Sequence, residues 1–268
     1  MARMGLIDTH THLESFARRG ELPAVLQRAA AAGVEAMITV GTDVDDWALY
    51  RDLAGRHAGV VHYAAGLHPC GVDEGWAVRL AQLEGYWRTT PRPVALGEIG
   101  LDRYHLPKDD PAAAQRILGW QRAAFAEGLA LARRLDCPVI VHSRETFGEC
   151  VDLIDASGID WRRVVFHCFS GGPEEIDALN RRGGRGSITG IITYKNADSI
   201  RAAARAQGLG RLLLETDAPY LSPLPHRGKP NEPGYVRHTA EFCAGLLGVD
   251  YDRLAEATTQ NARAFFGL

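Results

Sequence analysis

Short apolar runs recur along the chain, and amphipathic stretches separate most of them. The runs, rich in β-branched residues, predict eight strands: Leu6–His12, Ala36–Gly41, Val60–Leu67, Val94–Gly100, Pro138–His142, Val164–Phe169, Ser187–Thr193 and Leu212–Asp217. Apolar positions three or four apart predict helices between them, including Glu21–Ala32, Asp45–His57, Trp76–Arg88 and Ala112–Leu135. Such alternation is typical of a parallel sheet. Eight units in 268 residues predict one closed (β/α)8 barrel domain over residues 1–268.

A doubly wound open sheet is the alternative architecture. It would need fewer strands than the pattern predicts, or an antiparallel pair at one edge. No G-x-G-x-x-G motif follows the first predicted strand, so the sequence gives no support to a dinucleotide-binding fold.

Side chains of the types that bind metal ions stand at or near the ends of five predicted strands. They are His10 and His12 on the first, Glu98 on the fourth, His142 on the fifth, His167 on the sixth and Asp217 on the eighth. His10 and His12 are two residues apart, so a strand projects both imidazoles to one side. Each residue taken alone is explained by core packing, an ion pair or a helix cap. Together, at the strand ends where barrel chemistry takes place, they predict a metal centre.

The number of candidate ligands predicts two divalent ions, with Mg²⁺, Mn²⁺ and Zn²⁺ all suitable. Six ligands exceed the four of a structural zinc site. A carboxylate such as Glu98 can bridge two ions roughly 3.5–4 Å apart, as in two-metal hydrolases. Cys168 directly follows His167, so strand alternation turns its thiol away from the site, and we interpret Cys168 as a core residue.

Composition narrows the class of protein. A net charge of −3 does not indicate a protein that binds long duplex DNA. Five cysteines without a C-x-x-C motif indicate reduced thiols in a cytoplasmic protein. No apolar run approaches the roughly 18 residues of a membrane span. The first ten residues lack the apolar centre of a signal peptide.

Eight segments in order along the chain carry a family resemblance: DTHTHL, GEIGLD, PVIVHSR, HCFSGG, GIITYKNA, ETDAPYLSP, RGKPNEP and NARAFF. The set resembles the TatD family of metal-dependent deoxyribonucleases, within the amidohydrolase superfamily. The resemblance implies a (β/α)8 barrel that hydrolyses DNA phosphodiesters from a chain end, in the 3′ to 5′ direction. It implies that His10, His12 and Asp217 hold one ion, and that Glu98 bridges to a second ion held by His142 and His167.

Two positions depart from the family's usual residues. The family often has His-Pro-His where this chain has His68-Pro69-Cys70, and often has Gln where the long helix has Gly128. Neither Cys70 nor Gly128 belongs to the implied ligand set.

Residues around the predicted ligands suit a phosphodiester substrate. Arg144, Arg227 and Lys229 can pair with phosphate oxygens, and His68 stands at the end of the third strand, so we assign these four to substrate binding. Asp217 and Glu98 are the predicted catalytic carboxylates. Asp217 can accept a proton from water. Glu215 lies one layer below Asp217, where it can orient a ligating histidine. The low net charge favours single-stranded or frayed DNA ends over duplex.

Two other classes of function stay open. The first is an amidohydrolase-type enzyme for small amides, lactones or phosphoesters, although such sites often use a carboxylated lysine where this chain has Glu98. The second is a barrel that keeps its ligands but acts as a binding protein. The sequence leaves the oligomeric state open.

Overall fold

Eight short strands form one sheet whose order follows the chain. The computed structural model describes residues 5–268, with the strands β1 to β8 at Leu6–Thr11, Val34–Val40, Val61–Ala65, Ala95–Asp102, Val139–Arg144, Val164–Phe166, Arg185–Ile188 and Leu213–Leu214. The pairs β1–β2, β3–β4, β4–β5, β5–β6 and β7–β8 are parallel. A parallel bridge between Thr11 and Ala218 joins the end of β1 to the segment after β8. This order and closure confirm the predicted (β/α)8 barrel.

Helices separate the strands, as the apolar spacing predicts. The helices α1 to α11 are Glu14–Arg18, Leu22–Ala31, Val44–Arg56, Trp76–Leu80, Leu83–Tyr86, Pro111–Leu135, Phe147–Ser157, Pro173–Arg182, Asp198–Gln207, Val236–Leu247 and Tyr251–Phe266. In the described part of the chain, none of these helices is both long enough and apolar enough to cross a bilayer.

Several predicted elements are longer than the observed ones. The predicted strand Ser187–Thr193 ends at Ile188, because the Thr189 hydroxyl caps a 3-10 helix at Gly190–Thr193. The predicted helix Trp76–Arg88 is two short helices, α4 and α5. Leu80 and Leu83 on either side of the break are both buried, so the apolar periodicity runs through it and could not reveal it.

Strands β6 and β8 are shorter than predicted, and the backbone turns shortly after each of them. Predicted strand Val164–Phe169 ends at Phe166, and Leu212–Asp217 keeps only Leu213–Leu214 as strand. Cys168 has φ +44° and Asp217 has φ +56°, a left-handed conformation that an extended strand excludes. Both chain segments therefore turn just where they carry His167 and Asp217.

Contacts divide the chain into two units. The first unit contains residues 5–39, 57–62 and 167–268, and the second contains residues 40–56 and 63–166. Strands β1, β7 and β8 belong to the first unit, and β4, β5 and β6 belong to the second. The prediction of one domain over residues 1–268 stays a prediction.

In the first unit, β1 is packed against the C-terminal helix. All six residues of β1 are buried. Helix α11 buries an apolar stripe that includes Leu254, Ala262 and Phe266. The Thr259 hydroxyl donates to the Gly5 carbonyl at 2.7 Å, at the start of β1. This packing fixes the strand that carries His10.

In the second unit, α6 holds the end of β4 in place. Helix α6 begins at a cap in which the Asp110 carboxylate accepts from the Ala113 amide at 2.9 Å, and Pro111 stands at its first position. The buried Gln121 side chain accepts from the Asp102 amide at 3.0 Å and donates to the Pro69 carbonyl at 3.2 Å. One glutamine thereby ties the end of β4 to the loop after β3.

Candidate metal centre

The first unit gathers four of the predicted ligands. The His10 and His12 Nε2 atoms lie 3.3 Å apart. Asp217 Oδ1 lies 3.7 Å from His10 Nε2 and 3.3 Å from His12 Nε2. The His167 ring stacks on the His10 ring with centroids 3.9 Å apart. The predicted pairing of His10 and His12 on one side of the chain is therefore what the structure shows.

Hydrogen bonds to the buried Asp8 join β1 to the segment that carries Asp217. Asp8 accepts from the Thr216 amide at 2.9 Å and from the Thr216 hydroxyl at 2.6 Å. Burial raises the pKa of the Asp8 carboxyl to about 8, although the bonds from Thr216 oppose the rise. The Asp217 amide donates to the His10 carbonyl at 2.9 Å. The backbone itself thus holds the Asp217 carboxylate beside the two imidazoles.

Glu215 contacts His167 as the sequence predicts. The buried Glu215 carboxylate places Oε1 3.3 Å from His167 Nδ1. The same oxygen accepts from the Cys168 amide at 2.6 Å, and the other oxygen accepts from the Ser187 hydroxyl. A carboxylate held in this way fixes the orientation of the imidazole it contacts.

The interpretation of Cys168 as a core residue was wrong. The alternation argument requires an extended strand through Cys168, but β6 ends at Phe166 and Cys168 has φ +44°. The Cys168 side chain is half-buried, with its Sγ 3.9 Å from the Thr189 hydroxyl. The turn, not the pleat, decides where the thiol lies.

The second unit gathers the other two predicted ligands with one more histidine. Glu98 Oε1 lies 2.7 Å from His142 Nδ1 and 3.4 Å from His68 Nε2. The His68 Nε2 and His142 Nδ1 atoms lie 3.1 Å apart. His68 stands just before the 3-10 helix Pro69–Gly71, and its Nδ1 accepts from the Cys70 amide. This hydrogen bond leaves Nε2 as the atom that faces Glu98.

Asp102 and His105 are residues of this region that the sequence did not assign to the site. Asp102 Oδ2 lies 3.0 Å from His142 Nε2 and 2.9 Å from His105 Nδ1. Burial alone raises the pKa of Asp102, but the hydrogen bonds from His142 and His105 bring it well below its ordinary value. The place of Asp102 at the end of β4, in GEIGLD, could have indicated that it belongs to the site. His105 lies in an irregular loop, where no sequence pattern indicates its position.

Cys70 lies against Asp102 as well. Its Sγ is 3.5 Å from Asp102 Oδ2 and 3.6 Å from His105 Nδ1. Cys70 is exposed, but the neighbouring atoms shield its thiol from water, and this desolvation raises the pKa of the thiol to about 12; the negative charge of Asp102 adds to the effect.

The electrostatics keep Asp217 ionised. Burial on its own raises the pKa of Asp217, but the hydrogen bond from His12 and the imidazoles of His167 and His10 lower it below its ordinary value. At neutral pH the first unit therefore holds a carboxylate anion among nitrogen donors.

The donor atoms fit divalent ions in both units. His10, His167 and Asp217 form one set with ligand atoms within 4.8 Å of one another, and His68, Glu98 and His142 form another. Neighbouring ligand atoms of a tetrahedral zinc ion lie roughly 3.3 Å apart, since Zn–N and Zn–O distances are about 2.0–2.1 Å. Asp217 Oδ1 lies 3.7 Å from His10 Nε2 and 3.3 Å from His12 Nε2, and Glu98 Oε1 lies 3.4 Å from His68 Nε2, all within about 0.4 Å of this value. The 2.7 Å from Glu98 Oε1 to His142 Nδ1 is about 0.6 Å shorter. His68, predicted to bind substrate, thus lies among candidate ligands.

The predicted phosphate-binding cations lie beside aromatic rings. The Arg144 guanidinium lies 4.0 Å from the centre of the Tyr104 ring, in the second unit. The Arg227 guanidinium lies 4.3 Å from the centre of the Tyr194 ring, in the first unit. Lys229 is exposed, and its carbonyl accepts from the Ser222 hydroxyl. The Tyr220 ring is 62% exposed and lies 6.3 Å from the His12 ring.

Comparison with known proteins places these residues in a family context. The family described as TatD related DNase matches residues 7–267. The uncharacterized metal-dependent hydrolase YcfH of Escherichia coli K12 is 36% identical, over 99% of this chain and 97% of its own. The 3′-5′ ssDNA/RNA exonuclease TatD of Erwinia amylovora is 32% identical, over 98% of this chain and 100% of its own. The crystal structure of YJJV, a TatD homologue from E. coli K12, superposes with a TM-score of 0.89 at 32% identity and covers 98% of both chains.

Proposed function

Because this chain belongs to the TatD family of metal-dependent hydrolases, we propose that it is an exonuclease that hydrolyses phosphodiesters of single-stranded or frayed DNA from the 3′ end. The observation that carries the proposal is the exposed Tyr220 beside His12, a ligand of the metal centre we propose. An exposed aromatic ring next to hydrolytic residues suits an unpaired terminal base, since stacking contributes about 1–3 kcal/mol per base. The name of the Erwinia relative supports both the direction and the single-stranded substrate.

We assign the metal ligands as the family resemblance implies. His10, His12 and Asp217 would hold one ion, His142 and His167 would hold the second, and Glu98 would be a ligand common to both. When bound, divalent ions stabilise the charge that develops on the phosphodiester and lower the pKa of water. The assignment of His167 to the second ion rather than the first stays a prediction. His68 is a further candidate ligand, because it lies close to Glu98 and His142.

Asp217 and Glu215 have different roles in this proposal. Asp217 is ionised at neutral pH, so a carboxylate oxygen is free of a proton and accepts one from the attacking water. Glu215 touches His167 instead and holds the orientation of its ring.

Arg144 and Arg227 supply positive charge for the non-bridging oxygens. Each guanidinium stacks on a tyrosine, which keeps its N–H groups available in the plane of the fork. Lys229 adds an exposed ammonium in the same loop as Arg227. These groups bind the substrate but do not take part in proton transfer.

A digestion assay tests the proposal. Oligonucleotides labelled at the 5′ end and at the 3′ end are incubated with Mg²⁺, Mn²⁺ or Zn²⁺, as single strands, duplexes and RNA, and Asp217→Asn is the matched control. We expect early release of mononucleotides from the 3′ label, a ladder from the 5′ label, and no cleavage after chelation. Turnover of small esters or lactones with intact oligonucleotides would instead identify the small-molecule hydrolase.

A further inference from the structure

A third donor set lies in the second unit outside the ligands assigned above. It contains Cys70, Asp102 and His105, whose Sγ, carboxylate oxygen and ring nitrogen lie within 4.8 Å of one another. Cys70 lies in the 3-10 helix Pro69–Gly71, Asp102 ends β4, and His105 lies in the loop that follows. Cys70 and His105 are exposed while Asp102 is buried, so an ion can reach the set from solvent.

The separations of the three donor atoms are those of a zinc coordination sphere. Around a tetrahedral zinc ion, a thiolate sulfur at about 2.3 Å and a nitrogen or oxygen at about 2.0–2.1 Å lie roughly 3.5 Å apart. Cys70 Sγ lies 3.5 Å from Asp102 Oδ2 and 3.6 Å from His105 Nδ1. The distance from Asp102 Oδ2 to His105 Nδ1 is 2.9 Å, about 0.4 Å below the tetrahedral edge.

Buried contacts hold the set together before any ion binds. The Gln121 side chain bonds to the Asp102 amide and to the Pro69 carbonyl, so it fixes the two segments that carry Asp102 and Cys70. Asp102 Oδ1 accepts from the His105 amide at 2.9 Å, which fixes the loop relative to the carboxylate. Oδ2 is the oxygen that faces the other two donors.

We propose that Cys70, Asp102 and His105 bind a zinc ion through sulfur, oxygen and nitrogen, separately from the ions of the hydrolytic centre. A sulfur ligand selects zinc or a softer ion over Mg²⁺, which takes oxygen ligands. On binding, the Cys70 S–H bond is replaced by a sulfur–zinc bond and the proton leaves to solvent. The thiolate and the Asp102 carboxylate then balance the charge of the ion, and a solvent molecule completes four-coordination.

Cys70 adds a sulfur donor to the oxygen donor of Asp102 and the nitrogen donor of His105. The set is also linked to the hydrolytic residues, because Asp102 Oδ2 lies 3.0 Å from His142 Nε2. An ion at Cys70 therefore competes with His142 for the same carboxylate oxygen.

Metal analysis on the full chain tests the proposal. The protein is stripped with a chelator, reloaded with Zn²⁺, dialysed and analysed for zinc per chain, as wild type, Cys70→Ala, His105→Ala and the control His57→Ala. We expect both site variants to lose one equivalent of zinc relative to wild type, and His57→Ala to lose none. Thermal unfolding of each variant checks that the loss is not one of folding.

Cobalt loading identifies the ligand itself. Wild-type protein loaded with Co²⁺ should show a near-ultraviolet thiolate-to-cobalt charge-transfer band. Cys70→His should keep the extra equivalent of metal and lose the band, since imidazole replaces the thiolate. Equal zinc in wild type and Cys70→Ala, or a Co²⁺-loaded wild type without the band, would overturn the proposal. Neither readout involves hydrolysis, so the result is independent of the proposed exonuclease activity.

Discussion

His10 and His167 are buried side chains that we propose as metal ligands. We expect His10→Ala and His167→Ala to abolish hydrolysis while the circular dichroism spectrum stays that of wild type, because strand packing at β1 rests on residues such as Leu6 and Ile7. Activity on labelled DNA and metal content are measured together. Wild-type turnover in a variant with normal circular dichroism would remove that residue from the proposed centre.

Asp217 and Glu215 are two carboxylates, two residues apart, with different surroundings. Asp217 lies beside His12, whereas Glu215 contacts His167 and the Cys168 amide. We expect Asp217→Asn to lower kcat about 10²–10⁴-fold, as loss of a proton acceptor does. We expect Glu215→Gln to cost only about 10–100-fold, the effect of a lost contact behind a ligand. Both should retain metal, and equal losses of kcat would contradict this division of roles.

Sequence patterns predicted residues on strands better than residues on turns. His10 and His12 could be paired because the geometry of an extended chain is known in advance. The positions of Cys168 and His105 depend on the turns that follow β6 and β4, and no periodicity describes a turn. The sequence assigned His68 to substrate binding. Its distances to Glu98 and His142, which the sequence could not supply, show it as a candidate ligand as well.

At the scale of elements, the β4–β5 pair decides whether Glu98 and His142 meet. Gly100 pairs with His142 in this ladder, with φ +148°, and a Cβ atom there would lie 1.9 Å from the His142 carbonyl oxygen. We expect Gly100→Ala to lower the free energy of unfolding by about 3 kcal/mol or more, since strain and a backbone clash combine. Urea unfolding measures the loss.

Gly119→Ala is the matched control for that substitution. Gly119 lies in α6 with nothing within 4 Å of the position of an added Cβ. Alanine in a helix interior is expected to stabilise by about 0.5–1 kcal/mol. Similar effects of the two substitutions would show that close approach at Gly100 does not matter.

Glu149 connects α7 to its neighbours through two arginines. Its carboxylate accepts from Arg103 Nη2 at 2.6 Å and from Arg122 of α6. Burial on its own raises the pKa of Glu149, but these two hydrogen bonds lower it below its ordinary value. Because the pKa of Glu149 is lower in the folded state, its carboxylate contributes to the free energy of unfolding at pH values above the pKa of the unfolded chain. That contribution is lost as the pH falls through the folded-state pKa.

We therefore expect Glu149→Gln to destabilise the protein by about 0.5–1 kcal/mol at pH 7, the range of partly exposed ion pairs. The difference from wild type should shrink as the pH falls into the acid range where Glu149 protonates. Unfolding at a series of pH values measures it, with the exposed Asp152→Asn in the same helix as the control. A difference that stays constant with pH would mean that packing rather than charge is lost.

For the molecule as a whole, the chain pattern predicted the strand order and the barrel well. Strand–helix alternation is a local property that repeats eight times, so errors at single boundaries do not change the topology. The breaks that it missed, in β7 and between α4 and α5, lie where a capping side chain or a continuous buried face conceals them. Places at strand ends suggested the candidate ligands from sequence, and their role stays a prediction. The contacts of Asp102 with His142 and His105 depend on how strands and turns meet, so the sequence could not suggest them.

The charge of the whole molecule bears on how the proposed exonuclease would bind DNA. The net charge is −3, and the proposed phosphate contacts are Arg144, Arg227 and Lys229. Each phosphate neutralised on a single strand adds about 0.7 to the slope of log affinity against log salt. Two or three contacts give an expected slope of roughly −1.5 to −2.

Binding of a fluorescent single strand at several salt concentrations, with Asp217→Asn to prevent digestion, measures this slope. Arg227→Gln should weaken binding and reduce the slope by about 0.7, because one phosphate is no longer neutralised. The exposed Arg162→Gln, in the second unit and paired with Asp160, is the control and should leave the slope unchanged. A chain with so few phosphate contacts has little hold on the middle of a duplex, so digestion should begin at a terminus. A slope several times steeper, or rapid nicking of closed circular duplex, would show that DNA is bound along a much longer surface than these three side chains provide.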